Sequence, residues 1–412
     1  MIPKWFRVFA KQLEDEIKVV DGVRAVGVNH YIDNNDKTWE VTIWNVYACH
    51  ALLGQMYLTL GDFTKAASEL NAIVWVNDVT SPYRYQLGGG NNGFSGSNWR
   101  NIFTNIDIRE HILTLQFSKT NQQQNDFMRL FYPFAPHQYM LKPTKAAVHM
   151  WETQWNSYTL SINQLQPSLT RTVDPGYPGD YSRGFGRSYI YVSPAGNVPD
   201  IERMLYYKMQ KDVRSYTSMM ADMDTVVYKY VLKNSSVYDQ DADFIIYRAG
   251  GIQLYLAEIY TWWEYNRGGS VSPFLSNAQN ILNDGSQYNA QVNRIQLGVR
   301  GRVGLSPVSV GNINYIMEPF TNEVLGYTDL TGNIAAKQKL LEENIMDERA
   351  RELAFEGERF YDLIRVAKRR KIANPKDDYL AKKVSAKYPA GQKQAIYNLL
   401  LDEKNWYINM FN

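Results

Sequence analysis

Asn344-Ile-Met-Asp-Glu-Arg-Ala-Arg-Glu-Leu-Ala-Phe-Glu-Gly-Glu-Arg-Phe-Tyr-Asp-Leu-Ile-Arg365 is the stretch whose reading decides the fold. At helical spacing, Met346, Ala350, Leu353, Gly357, Phe360 and Ile364 step by four and three residues and share one face. Between them stand Glu348, Arg349, Arg351, Glu352, Glu356, Glu358, Arg359, Asp362 and Arg365. The pattern predicts one helix, packed on its apolar side and charged on the other. Arg349 with Glu352, and Arg359 with Asp362, sit at neighbour spacing, each pair worth about 0.2–0.5 kcal/mol if exposed. Gly357 costs roughly 1 kcal/mol against alanine in a helix interior. Its place on the apolar stripe therefore predicts a second helix passing close by.

Paired carboxylates serve general acid–base catalysis and glycoside hydrolysis. Here every acid has an arginine within helical reach, which favours permanent ion pairs over titrating groups. The expectation is an ion-pair network that fixes the helix; the competing reading is a glycoside hydrolase or peptidase using Glu348 or Glu356. The run Glu-Arg-x-x-Glu-Leu-x-Phe-Glu-Gly-x-Arg-x-x-Asp-Leu-x-Arg also resembles the C-terminal hallmark of the SusD/RagB family of nutrient-binding outer-membrane lipoproteins. That resemblance implies a mainly α fold: a tetratricopeptide-like helical scaffold with long irregular loops and a few short strands. It also implies non-catalytic capture of an oligosaccharide or a peptide on the outward face of the outer membrane. The partner would be a SusC-like TonB-dependent transporter, with no cofactor, no metal and no nucleic acid involved. Family members begin with an export signal and an acylated cysteine, whereas this chain starts Met-Ile-Pro-Lys-Trp-Phe-Arg. The expectation is a single domain over 1–412, lacking the family's N-terminal signal, lipid anchor and first helices.

Composition narrows the field further. The 412 residues are 45% hydrophobic and 21% charged, enough to bury a sizeable core. A net charge of +2 gives no reason to expect nucleic acid or an acidic membrane as the main partner. The single cysteine, Cys49, excludes an internal disulfide and sits in an apolar helical run, as a buried small hydrophobe would. Thirty tyrosines beside 10 tryptophans and 16 phenylalanines suit a surface that binds something.

Outward from the hallmark, periodicity predicts a helix from Lys4 to about Val20, with Trp5, Phe9, Leu13 and Ile17 on its stripe. Two more follow, about Trp39 to Leu60 and Thr64 to Val76, joined by Gly61-Asp62-Phe63. They resemble a tetratricopeptide helix–turn–helix, in which Gly54 and Ala66 permit close approach while Tyr57 and Leu60 fill the gap. Ile108 to Phe117 alternates like a short strand. A short helix is expected over Ala146–Leu160, and a strand near Val226–Leu232. Arg248 before Ala257-Glu258, and the basic turn Arg300-Gly301-Arg302, resemble further family signatures in the same order. Lys368 to Lys371, with Lys376, Lys382, Lys383 and Lys387, reads as a solvated basic face.

The candidate binding face lies in two glycine-rich, ring-studded segments without helical period, 81–103 and 172–196. Rings stack on the apolar face of a sugar, and polar neighbours bond its hydroxyls; a peptide is served equally well. Tyr83, Tyr85, Trp99, Asn101, Tyr177, Tyr181 and Phe185 are the candidate ligand contacts. The bland alternative is that these rings pin loops to the core. No phosphate loop, zincin helix or Gly-x-Ser-x-Gly elbow is present. Asp239, Asp241 and Asp243 alternate like calcium ligands, but Phe244 stands where glycine is required, so a solvated acidic turn is expected. A helical-repeat adaptor for another protein is the third reading.

Overall fold

Helices α3 (Val46–Leu60) and α4 (Phe63–Val74) form the antiparallel pair on which the fold is built, preceded by α1 (7–15) and α2 (Lys37–Glu40). The computed structural model describes residues 7–15, 37–74, 87, 102–103, 106, 110–131, 140–141, 143–154, 185–193, 196–199, 220–227, 230, 242–267, 270–285, 298–303, 305–319 and 323–407, with only the backbone at 37, 128–129, 145, 148, 152, 185–193, 196–199, 220–227, 264–267 and 270–273. The α3–α4 turn closes as a Schellman motif: the Gly61 N–H donates to Leu58 O, and the Asp62 N–H to Tyr57 O. Gly61 takes φ +80°, which a side chain would resist.

The expected helix from Trp39 to Leu60 is broken between Val41 and Asn45. Asn45 Oδ1 accepts the Ala48 N–H at 2.9 Å, while its amide donates to Glu40 O and Ile112 O, both at 2.8 Å. An asparagine does better capping a helix than sitting inside one. In α1 the buried residues are Ala10 and Leu13; Phe9, expected on the packed stripe, is exposed.

The close approach predicted between α3 and α4 is there. A Cβ added at Gly54 would lie 2.3 Å from Leu70 Cδ2, and Leu70 and Ala66 are fully buried. Gly54→Ala is expected to lower stability by about 1–3 kcal/mol through overpacking, despite gaining up to roughly 1 kcal/mol in helix propensity. A variant whose urea midpoint matched the parent's would contradict this.

Strand β1 (His111–Leu115) follows, then α5 (Phe127–Phe131), α6 (Lys145–Glu152), β2 (Phe185–Ser193), β3 (Gly196–Pro199), β4 (Met220–Val227) and β5 (Phe244–Arg248). β1 pairs antiparallel with β5, His111 opposite Arg248, which brings together segments far apart in the chain. β3-β2-β4 form a small antiparallel sheet. The segment 172–196 is therefore strand from Phe185 to Ser193, not irregular loop. Alternating Arg187, Tyr189 and Tyr191 with Ser188, Ile190 and Val192 supplies the period-two pattern that the glycines and prolines obscured. Of the strand expected at Val226–Leu232, Val226 and Val227 are in β4 and Tyr230 lies buried in a turn; the other residues lie outside the described ones.

Helix α7 (Ala249–Trp262) leaves β5 directly and is buried on nearly every side, as an almost wholly apolar sequence demands. A hairpin, β6 (Glu264–Arg267) and β7 (Ser270–Pro273), leads to α8 (Leu275–Asp284); a second, β8 (Ile313–Met317) and β9 (Val324–Asp329), precedes α9 (Ile334–Glu352). Helices α10 (Arg359–Ala373), α11 (Tyr379–Ser385) and α12 (Ala390–Leu400) complete the described chain. α7 packs on α4, α8 and α9, and one main core joins Leu53, Leu70, Leu254, Leu256, Leu341 and Ile345. The architecture is mainly α, a tetratricopeptide-like scaffold with a few short strands.

The 344–365 stretch is two helices, not one. α9 stops at Glu352, the backbone turns through Phe355 at φ +64° and Gly357 at φ +87°, and α10 starts at Arg359. A Cβ at Gly357 would touch nothing within 4 Å, so this glycine serves left-handed backbone and not a close helix crossing. Phe360 is accordingly exposed, while Met346 and Leu353 are buried.

Candidate functional site

The charged side of the hallmark points inward. Glu348, Arg349, Arg351 and Glu352 of α9, and Asp362, Arg365 and Arg370 of α10, are all buried. Charges taken out of water must be paired and hydrogen-bonded, and the partners come from the other signature segments.

Arg248 ends β5 in extended conformation and reaches into this interior. Its Nη1 donates to Glu110 Oε1 at 3.0 Å and Glu352 Oε1 at 2.7 Å, and its Nη2 donates to Glu352 O at 2.8 Å. Nε and Nη2 hold the two oxygens of Glu356 at 2.8 and 2.9 Å, a planar fork on a carboxylate. Arg302 bonds Glu110 Oε2 at 3.0 Å and also Glu352. Glu110 further accepts the Gly250 N–H at 3.1 Å, tying the start of α7 to the same centre.

Beside it, Glu348 accepts from Arg300 at 2.8 Å and Arg351 at 2.6 Å; Arg300 also donates to Ser306 O and Gln154. A third group follows α10. Arg349 lies 3.9 Å over the Tyr255 ring and bonds Asp362 at 2.8 Å and Glu358 at 3.3 Å. Arg365 grips Glu258 at 3.0 and 2.6 Å and Asp362 at 2.8 Å. Arg369 bonds Glu258 and Glu342, and Arg370 bonds Glu342 at 2.7 Å and Glu343 at 3.1 Å.

The ion pairs are thus not the predicted ones. Arg349 pairs with Asp362 and Glu358 instead of Glu352, and Arg359 donates to Met346 O instead of Asp362. The break after Glu352 re-aims every side chain beyond it, which single-helix spacing does not foresee. Nor is the basic tract wholly a solvated face: Arg369 and Arg370 turn inward, Lys371 donates to Leu401 O, and Lys383 pairs with Asp347 at 2.7 Å. Asp243, expected in a solvated turn, is buried and accepts the Phe117 N–H at 2.9 Å; Asp239 and Asp241 lie outside the described residues.

Two carboxylates of the lattice are pushed in opposite directions. Burial disfavours the Glu258 carboxylate, but Arg365 and Arg369 outweigh it and hold the group at about 2. Glu358 goes the other way, because burial outweighs Arg349 and raises it above the ordinary carboxylate value. Next to Glu358 a cavity of about 20 Å³ is lined by Tyr247, Arg248, Gly251, Tyr255, Leu353 and Glu356 among others. That is room for about one water, far below the roughly 300–1,000 Å³ of a small-molecule pocket. A hydrogen-bond run crosses its wall: Tyr247 Oη donates to Gln55 Oε1, Gln55 Nε2 to Tyr255 Oη, and Tyr255 Oη to Glu358 at 2.7 Å.

This arrangement braces the fold. Glu348 and Glu352 have no exposed surface, and Glu356 is clamped by Arg248. The sequence-derived ligand contacts fall elsewhere. Tyr83, Tyr85, Trp99, Asn101, Tyr177 and Tyr181 lie outside the described residues. Phe185 opens β2, its backbone opposite Val227, and its side chain is likewise outside the description. Half-exposed rings that sequence reading did not offer as ligand contacts include Trp39, Trp44, Phe360 and Tyr361, and Tyr315 with Tyr327 on the β8–β9 hairpin. Alternation in Ile313-Asn-Tyr-Ile-Met and Val324-Leu-Gly-Tyr-Thr was the available signal for the last pair.

A helical scaffold locked by arginine–carboxylate pairs among β1, β5, the 300–302 turn, α9 and α10 defines the class of protein. Residues 77–410 match the SusD family, and the chain belongs to it. No curated protein matches. Among solved structures the chain is similar to a SusD-like protein from Bacteroides fragilis NCTC 9343, at 18% identity and TM-score 0.42, over 78% of this chain and 54% of that one. It is also similar to a SusD-like carbohydrate-binding protein from Bacteroides vulgatus ATCC 8482, at 15% identity and TM-score 0.43, over 79% and 46%. B. fragilis NanU matches at 18% identity and TM-score 0.39, over 87% of this chain and 61% of that one. The chain spans about half the length of these relatives. Among the described residues, no helix is long and apolar enough to cross a membrane.

Proposed function

We propose that this protein captures a nutrient, an oligosaccharide or a peptide, at the outward face of the outer membrane and delivers it to a SusC-like TonB-dependent transporter. The observation that carries the reading is the sealing of the hallmark acids. Glu348, Glu352 and Glu356, the groups a hydrolase would need free, are spent on arginines in the interior. Binding is then reversible and non-catalytic, and residues 1–412 act as one SusD-like domain. The working surface is the ring-bearing pair of segments 81–103 and 172–196, with Tyr83, Tyr85, Trp99, Asn101, Tyr177, Tyr181 and Phe185 as contacts. Family membership supports the nutrient-binding part, and a carbohydrate-binding relative favours a glycan as the first ligand to try.

Calorimetric titration with candidate glycans and with protein digests tests this. Trp99→Ala and Tyr177→Ala are each expected to weaken the bound ligand by about tenfold or more, the scale of a lost aromatic anchor, while the Tm stays that of the parent. Shortened products from a glycan or peptide library would overturn the reading. So would unchanged affinity in the double variant.

A further inference from the structure

Behind the turn that carries Glu356 and Glu358, the cavity of about 20 Å³ has a mixed wall, in which Gly251 and Leu353 meet Tyr247, Tyr255 and the two carboxylates. Gly251 is the unexplained residue of that wall. A Cβ at its neighbour Gly250 would come 2.7 Å from Arg248 Nη1, so the arginine lattice itself requires that glycine. At Gly251 a Cβ would meet only the Leu353 side chain, at 3.8 and 4.0 Å, which is ordinary van der Waals contact. Nor does the backbone there take a positive φ; it is the third residue of α7. Alanine would fit this position and would favour the helix more. What the absent methyl group leaves is room in the cavity.

The polar groups around that room have bonding capacity left. Glu358 Oε2 accepts from Tyr255 and Arg349, and the side chain makes no capping bond to α10, which leaves Oε1 for a further donor. Tyr247 donates its one proton to Gln55, and its oxygen can still accept. The two groups lie within electrostatic reach: burial, and after it the Glu358 charge, push the Tyr247 hydroxyl above its ordinary range. Cavities that stay dry are apolar, whereas a polar one above about 10–15 Å³ takes a water that finds two to four partners. A cation is the poorer occupant, since Arg248 lines the cavity and Arg349 already pairs with Glu358. We propose that this cavity is a hydration site for one water molecule, which donates to Glu358 Oε1 and Tyr247 Oη and for which Gly251 makes the space. The water closes a ring: Tyr247 to Gln55, Gln55 to Tyr255, Tyr255 to Glu358, and the water between Glu358 and Tyr247. That ring ties α3, β5, α7 and the turn before α10 at one point, and bonds in such a chain strengthen one another. The Glu358 side chain is 20% exposed, which gives the water a way in.

Gly251→Ala in the full chain is the test. In a dry void the methyl group would fill space and raise the Tm. With a water to displace, the Tm is expected to fall, by about 1–2 °C. In a Tyr247→Phe background, which keeps the ring and removes one of the water's acceptors, the same alanine is expected to cost less. A high-resolution crystal structure gives an independent readout: one ordered water about 2.8 Å from both oxygens in the parent, gone in Gly251→Ala. A higher Tm for Gly251→Ala, equal shifts in the two backgrounds, or a parent cavity without ordered water overturns the proposal. Density with the short contacts of a metal ion overturns it in favour of a cation. Neither readout involves a bound nutrient, so this inference stands or falls apart from the ligand reading.

Discussion

Arg248→Met is expected to destabilise the protein by about 3–5 kcal/mol, the cost of breaking a buried pair by removing one partner. The side chain is 2% exposed and bonds Glu110, Glu352 and both oxygens of Glu356. Methionine fills much of the volume but leaves that negative charge with one neighbouring cation fewer, Arg302 remaining. Arg248→Lys keeps the charge and loses the fork on Glu356, so it should fall between parent and Arg248→Met. Urea unfolding of the three proteins measures all of this. An Arg248→Met variant within about 1 kcal/mol of the parent, the range of a solvent-exposed pair, would refute the lattice.

The second large effect is at Glu258, at the heart of α7. Its folded value of about 2 lies below the ordinary 4.5. The unfolded chain therefore binds the proton more readily through that window, and stability rises with pH across it. The contribution is fully present above about pH 4.5 and is lost as pH falls toward 2, amounting to about 3 kcal/mol. Glu358, raised by burial, acts with the opposite sign and offsets part of the loss on acidification. Glu258→Gln should cost about 3–5 kcal/mol at neutral pH, because Arg365 loses its bidentate partner and Arg369 one of two. It should also flatten acid unfolding between pH 4.5 and 2. Parallel acid-unfolding curves for variant and parent would contradict the assignment.

Both effects bear on function through the same geometry. The arginine lattice cross-braces a strand pair, a turn and two helices drawn from separate parts of the sequence. Such a brace suits a scaffold that must hold the proposed binding segments still. It also explains how a segment so rich in acids packs in the interior: Glu348, Glu352 and Asp362 each meet arginine donors there.

Local chemistry determined a good deal. Gly54 and Ala66 announced the crowded crossing of α3 and α4, Gly61-Asp62 its turn, and the alternation around His111 a strand, because each depends on residues a few positions apart. The hallmark itself announced a network of ion pairs and, by resemblance, the family. Tertiary structure alone decided which charges meet. Glu110, Arg248, Arg302 and Glu352 are brought together by strand pairing and helix stacking, and helical spacing carries no information about partners that distant. It also decided the break after Glu352, since a turn made by left-handed Phe355 competes locally with an unbroken helix and wins only when Tyr230 donates to its carbonyl and Phe131 packs edge-on against its ring.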